Sequence, residues 1–579
     1  MAVRFNDPGR RTIWKSGVLL SGFIFLLFLP NLILILHDPS LVPIVRGIFV
    51  SGLLVGTVFA IFARHLWLAC LLFLPFVALA PVEAYYMTRY GVPSDANIIA
   101  TVFESNLSEA SAYFGPAKVY LELAVLGAAA AGLFIAVQLK MSRLSWTHKS
   151  RWWVIGVCMG VPVLNIVMVL LNHAAPASST ESEIAKSLDR LTLETYATYP
   201  FGKYWSFVEY VKQWRAVRDA AKGLAGFTFQ ARSKSPISSR QIYVLVIGEA
   251  SRRDHWSLFG YERPTNPRLQ GLTDLVTIKD MITPWTASRR AVPIIVSRKR
   301  PEDLNLSPKE PAVSRVFQEA GFSTYWYSTQ SAVGLYDSPI SVVAFDSMQV
   351  RFFNPAGIQG DRTFDDTLLP PLQALVDSSE GNLFVVLHTM GSHQEYAARY
   401  PKSFEHFSPT EEEQRAFAKF GMNAAEVDAY DNSVLFTDQV LRSVIDTLNK
   451  SGAIATMFYV SDHGEMLPNS ACTASGHGFP GLPVYQVPAL FWYSEPYARA
   501  FPEKIAALAA NRDKHSATDM VFESLVDMAG IEFNGQDPQK SLFSSEFKEE
   551  SRRIHVEREE LVDFDKGYIV GGCQLIRSN

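Results

Sequence analysis

The sequence is poor in charged residues: Asp, Glu, Lys and Arg make up 19% of its 579 residues, whereas 48% are hydrophobic. This balance excludes an ordinary soluble enzyme and predicts that part of the chain lies in lipid. The formal net charge is only −4, and the sequence lacks a basic tract suited to a nucleic acid. No nucleic-acid partner is therefore expected.

Cysteine is also scarce, with four residues in the whole chain. Cys70 and Cys158 fall within apolar stretches, where we interpret them as small core residues. Cys472 and Cys573 remain, and they can form one disulfide if their part of the chain is exported to an oxidising compartment. The sequence does not show whether the two are close in space.

Long apolar runs occur only before residue 175. Five of them approach the length that crosses about 30 Å of hydrocarbon. They cover residues 17–36, 44–63, 67–86, 119–139 and 152–171. Residues 1–173 are therefore predicted to form an α-helical transmembrane domain of five spans, with an exported loop at 87–118.

Basic residues set the predicted orientation of this domain. Lys and Arg are concentrated before the first span and between the fourth and fifth, for example at Arg11, Lys15, Lys140 and Lys149. Lys and Arg next to short loops stay on the cytoplasmic side. The N-terminus is therefore predicted inside, and the chain after the fifth span outside.

Residues 174–239 form a polar stretch followed by an aromatic and basic run. One interpretation is a linker with an ordinary amphipathic helix. The interpretation we favour is a helix that lies at the membrane surface, because the segment directly follows the last span and is rich in Tyr and Trp.

Residues 240–579 are predicted to form an exported α/β domain with a mostly parallel sheet between helices. Short, almost continuously apolar runs alternate there with helical patterns, as expected for strands buried on both faces. The predicted strands are 241–249, 323–330, 382–393, 455–465 and 487–495, and the predicted helices are 308–321 and 423–450.

Functional groups gather at the carboxyl ends of strands in parallel sheets. Three of the predicted strands end in ligand-type side chains: Glu249, His388 with His393, and Asp462 with His463. Glu249 ends the first strand, and a buried carboxylate there is costly unless a positive group meets it. Asp462 and His463 directly follow another strand. Together the three offer an oxygen and nitrogen set suited to zinc, or with more oxygen ligands to manganese. Alternatively, Asp462 caps a turn and His463 is a core residue.

The order of the motifs GEASR, GYERPTNP, a histidine pair, SDHGE and GHG resembles the membrane-bound phosphoethanolamine transferases of Gram-negative bacteria. These enzymes belong to the alkaline phosphatase and sulfatase superfamily. The resemblance covers nearly the whole chain and includes the five spans. It implies an alkaline phosphatase-like exported domain in the periplasm and a multi-pass anchor in the inner membrane.

The resemblance implies one tightly bound zinc held by Glu249, Asp462 and His463, with manganese as the lesser alternative. A threonine that accepts the phosphoryl group would complete the set of ligands. We assign Thr286 to this role because Pro293 follows it by seven positions.

Two neighbours of Thr286, namely Thr283 and Ser288, are its rivals as the nucleophile. A hydroxyl at a helix start would have backbone donors nearby for a bound phosphate.

Three further histidines match family positions that bind the phosphoryl group or a second zinc: His388, His393 and His477. A second zinc is placed near His393 and His477. His255 and His406 have no such match, and we interpret them as structural.

The sequence departs from the family pattern in two segments. The segment 328–338 lacks a lysine that lipid A-modifying members carry, so the phosphoryl contact must differ there. In the exported loop, Thr101, Ser105 and Glu109 stand where relatives hold ethanolamine. Ser105 and Glu109 are spaced to share one helical face, and Glu109 can pair with the ammonium group; a solvated helix face is the alternative.

The implied reaction takes phosphoethanolamine from phosphatidylethanolamine onto the enzyme and passes it to a cell-envelope glycan. That acceptor would be the lipopolysaccharide core, lipid A or a periplasmic glucan. The alternatives are a phosphoglycerol transferase that uses phosphatidylglycerol, and an inactive metal- or glycan-binding membrane protein. The protein is expected to act as a monomer.

Overall fold

The computed structural model describes residues 8–37, 41–90, 93–94, 99, 118–146, 148–156, 198–234, 238–306, 308–331, 338–354, 363–418, 424–469, 471–472, 474–556 and 560–577. The chain forms two compact units. The described residues up to Lys212 form the first, here called the membrane unit, and those from Gln213 onward form the second, the sheet unit. The division falls inside a helix, whereas the sequence interpretation set residues 174–239 apart as a linker.

The membrane unit contains the helices α1 (Pro8–His37), α2 (Leu41–Ile61), α3 (Leu66–Tyr90) and α4 (Lys118–Met141), and it includes the start of α5 (Phe201–Gly223). Three segments of these helices are long and apolar enough to cross a membrane: Trp14–Leu36, Leu66–Thr88 and Lys118–Met141.

The described residues thus support three of the five predicted spans, not all five. The second predicted span lies in α2, where the apolar segment Gly47–Ile61 is shorter than the other three. The fifth lies mostly outside the described residues, as does Cys158.

The beginning of α5 is bound to the membrane unit by buried polar contacts. Tyr199 and Asn31 exchange two hydrogen bonds of 2.8 Å. The side-chain amide of Asn31 donates to Tyr199 O, and Tyr199 N donates to Asn31 Oδ1. Lys203 lies 2.9 Å from the buried carboxylate of Glu83 on α3. The aromatic and basic helix therefore begins as part of the membrane unit rather than as a free linker.

The sheet unit is built on an eight-stranded sheet. Its strands are β1 (Gln241–Gly248), β2 (Leu275–Ile282), β3 (Ser323–Ser331), β4 (Gln349–Asn354), β5 (Leu383–His388), β6 (Ile454–Ser461), β7 (Gln486–Tyr493) and β8 (Ser516–Ala517). The order across the sheet is β4-β3-β5-β1-β6-β7-β2-β8. Only β7 runs against the others, so the prediction of a mostly parallel sheet is confirmed.

Helices cover both faces of this sheet. They are α6 (Ser288–Val296), α7 (Val313–Glu319), α8 (Pro339–Ala344), α9 (Leu369–Ser378), α10 (Glu411–Ala418), α11 (Ala425–Lys450), α12 (Leu482–Tyr485), α13 (Glu495–Ala500), α14 (Pro502–Asn511) and α15 (Val521–Met528).

The central strand β1 shows why the predicted strands are almost continuously apolar in sequence. Its side chains alternate between the two faces. Tyr243, Leu245 and Ile247 pack with α6, α7 and α15, whereas Val244 and Val246 pack with α9 and α11. Every residue of β1 is buried, because neither face meets water.

Three strands of this sheet were missed by the sequence interpretation. The strand β2 contains Thr277, Lys279 and Asp280 and is only partly buried, so it lacks a continuous apolar run. The other two are β4, at the edge of the sheet, and β8, which has two residues.

Two small hairpins follow the sheet: Arg553–His555 with Leu561–Asp563, and β9 (Tyr568–Val570) with β10 (Leu575–Arg577). A two-residue pair, Arg232–Ser233 with Ile531–Glu532, completes the strands.

Candidate metal and phosphoryl-transfer site

The candidate site begins where β1 and β6 end side by side. The two strands are parallel neighbours, and Gly248 pairs with Ser461. Because parallel strands finish at the same edge, Glu249 and Asp462 emerge together. Ala250 then takes a φ of 54°, an unfavourable value for a residue with a Cβ, and its N–H donates to Asp462 Oδ1 at 3.2 Å.

Glu249, Asp462 and His463 form the buried centre of this site. His463 Nε2 lies 3.2 Å from Glu249 Oε1 and 3.6 Å from Asp462 Oδ2. Its other ring nitrogen, Nδ1, donates to Gly464 O at 2.8 Å, which leaves Nε2 facing the carboxylates. The structure therefore brings together the three predicted zinc ligands.

The three groups of this centre shift one another's pKa values. Burial alone would lower the pKa of His463, but Asp462 and Glu249 raise it to about 10. Burial and the charge of Glu249 raise the pKa of Asp462 to about 8. Burial would also raise the pKa of Glu249, but the nearby His463 holds it well below its usual range. Two carboxylates thus share one imidazole, which does not satisfy both of them.

Unsatisfied oxygens identify where a cation fits. Glu249 Oε1 and Asp462 Oδ2 are buried and accept no hydrogen bond from the described residues. Single ligand atoms of Glu249, His463 and His477 lie within 4.8 Å of one another. Nitrogen and carboxylate donors in this arrangement suit zinc, so the residues present fit the metal that the family resemblance implies.

His477 joins this first cluster, although it was assigned to substrate or to a second zinc. Its ring lies 4.3 Å from that of His463 and 5.7 Å from that of His393, measured between centroids. Its Nδ1 donates to Glu465 Oε2 at 2.8 Å, and Tyr396 donates to the other oxygen of that carboxylate at 2.7 Å.

The hydroxyl of Ser288 reaches the predicted ligand residues. Ser288 Oγ donates to Glu249 Oε2 at 2.8 Å and lies 3.2 Å from His463 Nε2. Thr286 enters the site through its backbone, where its carbonyl accepts from Gly478 N at 2.9 Å. Ser288, a rival of Thr286 in the sequence analysis, is thus the hydroxyl with contacts to these residues, and the assignment of Thr286 as ligand and nucleophile stays a prediction.

The helix start explains this difference. Residue 287 has an extended backbone, and α6 begins at Ser288, so the Ser288 side chain lies in the first turn. Thr286 precedes the helix by two residues. The other rival, Thr283, is buried and donates to Trp285 O at 3.3 Å. Unpaired N–H groups of a first turn are suited to bind a phosphate.

Gln330 is a site residue that the sequence interpretation missed. It lies at the end of β3, in the segment that lacks the expected lysine. Its side-chain amide donates to Glu249 Oε2 at 3.2 Å and to Thr389 O at 2.8 Å. Its position near the end of a predicted strand could have identified Gln330 as a site residue, because Glu249 and Asp462 also lie at strand ends.

The remaining predicted histidines lie near the same edge. His388 is fully buried at the end of β5, where Ser328 Oγ lies 3.3 Å from its Nδ1. Burial lowers the pKa of His388 to about 4 and that of His393 to about 3. His255 pairs with Asp431 at 2.6 Å, a structural contact.

The other residues singled out in the sequence lie away from this site or outside the described residues. Thr101, Ser105 and Glu109 lie outside the described residues. His406 is exposed, and its backbone N–H donates to Asn432. Cys472 and Cys573 form a disulfide, so these two residues are close in space, which the sequence alone did not show.

Comparison with known proteins identifies the family. A family model described as Sulfatase matches residues 241–531, about half of the chain. The chain belongs to the sulfatase family. A second model, described as Phosphoethanolamine transferase EptA/EptB, matches residues 52–213. The two matches confirm the predicted resemblance to phosphoethanolamine transferases of the alkaline phosphatase and sulfatase superfamily.

Individual relatives extend this similarity to both units. Phosphoethanolamine transferase EptC of Escherichia coli K12 is 24% identical over 502 residues, 83% of each chain. The integral membrane lipooligosaccharide phosphoethanolamine transferase EptA from Neisseria meningitidis matches with a TM-score of 0.65 at 19% identity, covering 92% of this chain and 98% of that one. The zinc complex of the C-terminal periplasmic domain of EptC from Escherichia coli gives a TM-score of 0.51 at 24% identity, covering 58% of this chain and 95% of that one. At these sequence identities, the two solved structures show a similarity of fold alone.

Proposed function

We propose that this protein transfers phosphoethanolamine from phosphatidylethanolamine to a glycan of the bacterial cell envelope, through a covalent intermediate on Ser288. The observation that carries the proposal is the contact of Ser288 Oγ with Glu249 and His463 at the start of α6. Phosphoethanolamine is proposed as the transferred group because the relatives are named phosphoethanolamine transferases. The protein would sit in the inner membrane with the sheet unit in the periplasm.

In the first step, Ser288 Oγ would attack the phosphorus of the donor. The new bond joins Oγ to phosphorus, the bond from phosphorus to the glycerol oxygen breaks, and diacylglycerol leaves with a proton. Glu249 accepts the hydrogen bond of the Ser288 hydroxyl and so orients it for attack. The N–H groups of the first turn of α6 would hold the phosphoryl oxygens.

In the second step, the oxygen of an acceptor hydroxyl would attack the same phosphorus and the bond from phosphorus to Ser288 Oγ would break. The proton released by the acceptor would then pass to Ser288 Oγ. His393 lies within ring-contact distance of His477 at the site, so its imidazole is placed to take the acceptor's proton. A phosphate group of lipid A could serve as the acceptor in place of a sugar hydroxyl.

Glu249, Asp462, His463 and His477 would hold the zinc ion. When bound, zinc supplies a Lewis acid for the phosphoryl oxygens and favours the ionised form of the attacking hydroxyl. The lysine that lipid A-modifying relatives carry is absent, and Gln330 stands at this edge instead. This difference favours a sugar hydroxyl as the acceptor.

The test is to incubate the purified full chain with phosphatidylethanolamine and no acceptor. We expect a phosphoethanolamine adduct on the tryptic peptide 280–289, located by fragmentation at Ser288, together with free diacylglycerol. Ser288→Ala should abolish both, Ser288→Thr should retain part, and Thr286→Ala should retain the adduct. An adduct on Thr286 would overturn the assignment of Ser288. A glycerol phosphate adduct would support the phosphoglycerol alternative.

A further inference from the structure

Three consecutive large apolar side chains are exposed on one strand of the sheet unit. Tyr568, Ile569 and Val570 make up β9 and are 47%, 55% and 38% exposed. Among the described residues of this unit, the other large apolar side chains with such exposure are Leu304 and Met348, which stand singly. Because a strand alternates its side chains, three exposed neighbours mean that both faces of β9 are uncovered.

The strand also lies at an edge. It pairs with β10 alone, in a hairpin of residues 568–577 that we call the rim hairpin. Exposed edge strands are normally protected by charged residues or proline, because an apolar edge invites association. Tyr, Ile and Val in a row offer no such protection, so this strand is suited to contact an apolar partner.

The rim hairpin is fixed to the loop that carries His477. Its turn is bound to that loop by the disulfide between Cys573 and Cys472. Ile576 N donates to Pro480 O at 2.9 Å, three residues after His477. The apolar strand is therefore held at the margin of the candidate site.

We propose that the rim hairpin inserts β9 into the surface layer of the bilayer and so brings the headgroup of the donor lipid to Ser288. The proposal rests on the proposed function, in which the donor keeps its acyl chains in the membrane. The same chain carries helices long and apolar enough to span a bilayer, so a lipid surface is the apolar partner that the chain itself brings. A polar glycan would gain nothing from Ile569 and Val570, whereas Tyr568 has the amphipathic ring favoured at membrane interfaces.

The first test detects the contact without catalysis. The photoreactive residue p-benzoylphenylalanine is placed at position 569 or, as the matched control, at 348 in the full chain. Each protein is irradiated in vesicles of phosphatidylethanolamine and phosphatidylglycerol. We expect a lipid adduct from position 569 and at most a tenth of that yield from position 348. A crosslinked dimer from position 569 would instead show that a second copy covers the strand, and equal lipid yields would equally overturn the proposal.

The second test separates lipid access from chemistry. Ile569→Asn with Val570→Asn should raise the KM for long-chain phosphatidylethanolamine in vesicles at least tenfold. The kcat/KM for a water-soluble dihexanoyl donor should stay within twofold, and Met348→Asn should change neither. An unchanged KM in vesicles overturns the proposal. If the wild-type protein uses neither donor, the proposed function fails, whereas the crosslinking result still decides the membrane contact.

Discussion

Glu465 and His477 are joined by a 2.8 Å hydrogen bond from Nδ1 of the imidazole to a carboxylate with no solvent exposure. Tyr396 holds the other oxygen of that carboxylate. This bond fixes the tautomer of His477, so that Nε2 carries the lone pair that a metal requires. We therefore expect Glu465 to act through His477 rather than on the substrate.

Replacing Glu465 should weaken zinc binding without removing it. In Glu465→Gln, the amide can no longer accept as strongly from Nδ1, and we expect the zinc dissociation constant of the purified full chain to rise about 10- to 100-fold. Chelator competition measures this change. His463→Ala should lose zinc more severely because a ligand is removed, whereas exposed His406→Ala should bind zinc as the wild type does. Equal affinity in Glu465→Gln and the wild type would contradict the role of this carboxylate.

Gln330 should position Glu249 through its side-chain amide. Gln330→Ala removes a donor to a buried carboxylate oxygen and should lower kcat/KM by about tenfold, in line with the loss of one hydrogen bond to a charged group. Gln330→Glu places a second negative charge beside Glu249 and should lower it by at least about a hundredfold. Transfer assays on both variants check this order. Activity of Gln330→Glu at or above that of Gln330→Ala would be incompatible with it.

The predicted orientation gives a test of topology that is independent of catalysis. A periplasm-dependent reporter fused after Ser239 should be active, because that residue lies in the part predicted to be exported. A fusion after Ser145 should be inactive, because basic residues flank that loop. The opposite pattern of the two fusions would reverse the assignment of the cytoplasmic side.

Much of the sheet could be predicted because its strands carry their own signal. Strand β1 is buried on both faces and reads as one apolar run, whereas β2 contains Lys279 and Asp280 and gives no such run. The candidate ligands at strand ends could be recognised for the same reason: Glu249 and Asp462 interrupt apolar segments. The pairing of β1 with β6, which brings them together, follows from crossover connections that no local pattern encodes.

The nucleophile shows the opposite case. Thr286 and Ser288 are two residues apart, and both are hydroxyls near a helix start. In the structure residue 287 is extended and the first helical residue is Ser288, which favours Ser288 in our proposal. The seven-residue spacing between Thr286 and Pro293 does not predict the residue at which α6 begins. The closeness of His477 to His463 could not be predicted for a similar reason, because it depends on the fold of the loop between them.

The final prediction concerns Glu523, a buried carboxylate on α15. Burial raises the pKa of Glu523 to about 7, and the charges of Asp527 and Asp537 add to this effect, whereas Arg298 at 3.3 Å opposes it. The unfolded chain releases this proton near the ordinary pKa of glutamate. The stability associated with protonated Glu523 is therefore fully present below that value and is lost as the pH rises through about 7.

Glu523→Gln keeps the shape of the side chain but cannot ionise. Between pH 5 and pH 8, the wild-type sheet unit should lose up to about 3 kcal/mol of stability relative to this variant. Thermal unfolding of both full chains in detergent, followed across this pH range, measures the difference. The melting temperature of the wild type should fall relative to Glu523→Gln as the pH is raised, while Glu412→Gln, at an exposed position, should follow the wild type. Parallel curves for the wild type and Glu523→Gln would show that this carboxylate is already ionised at low pH, with Arg298 outweighing its burial.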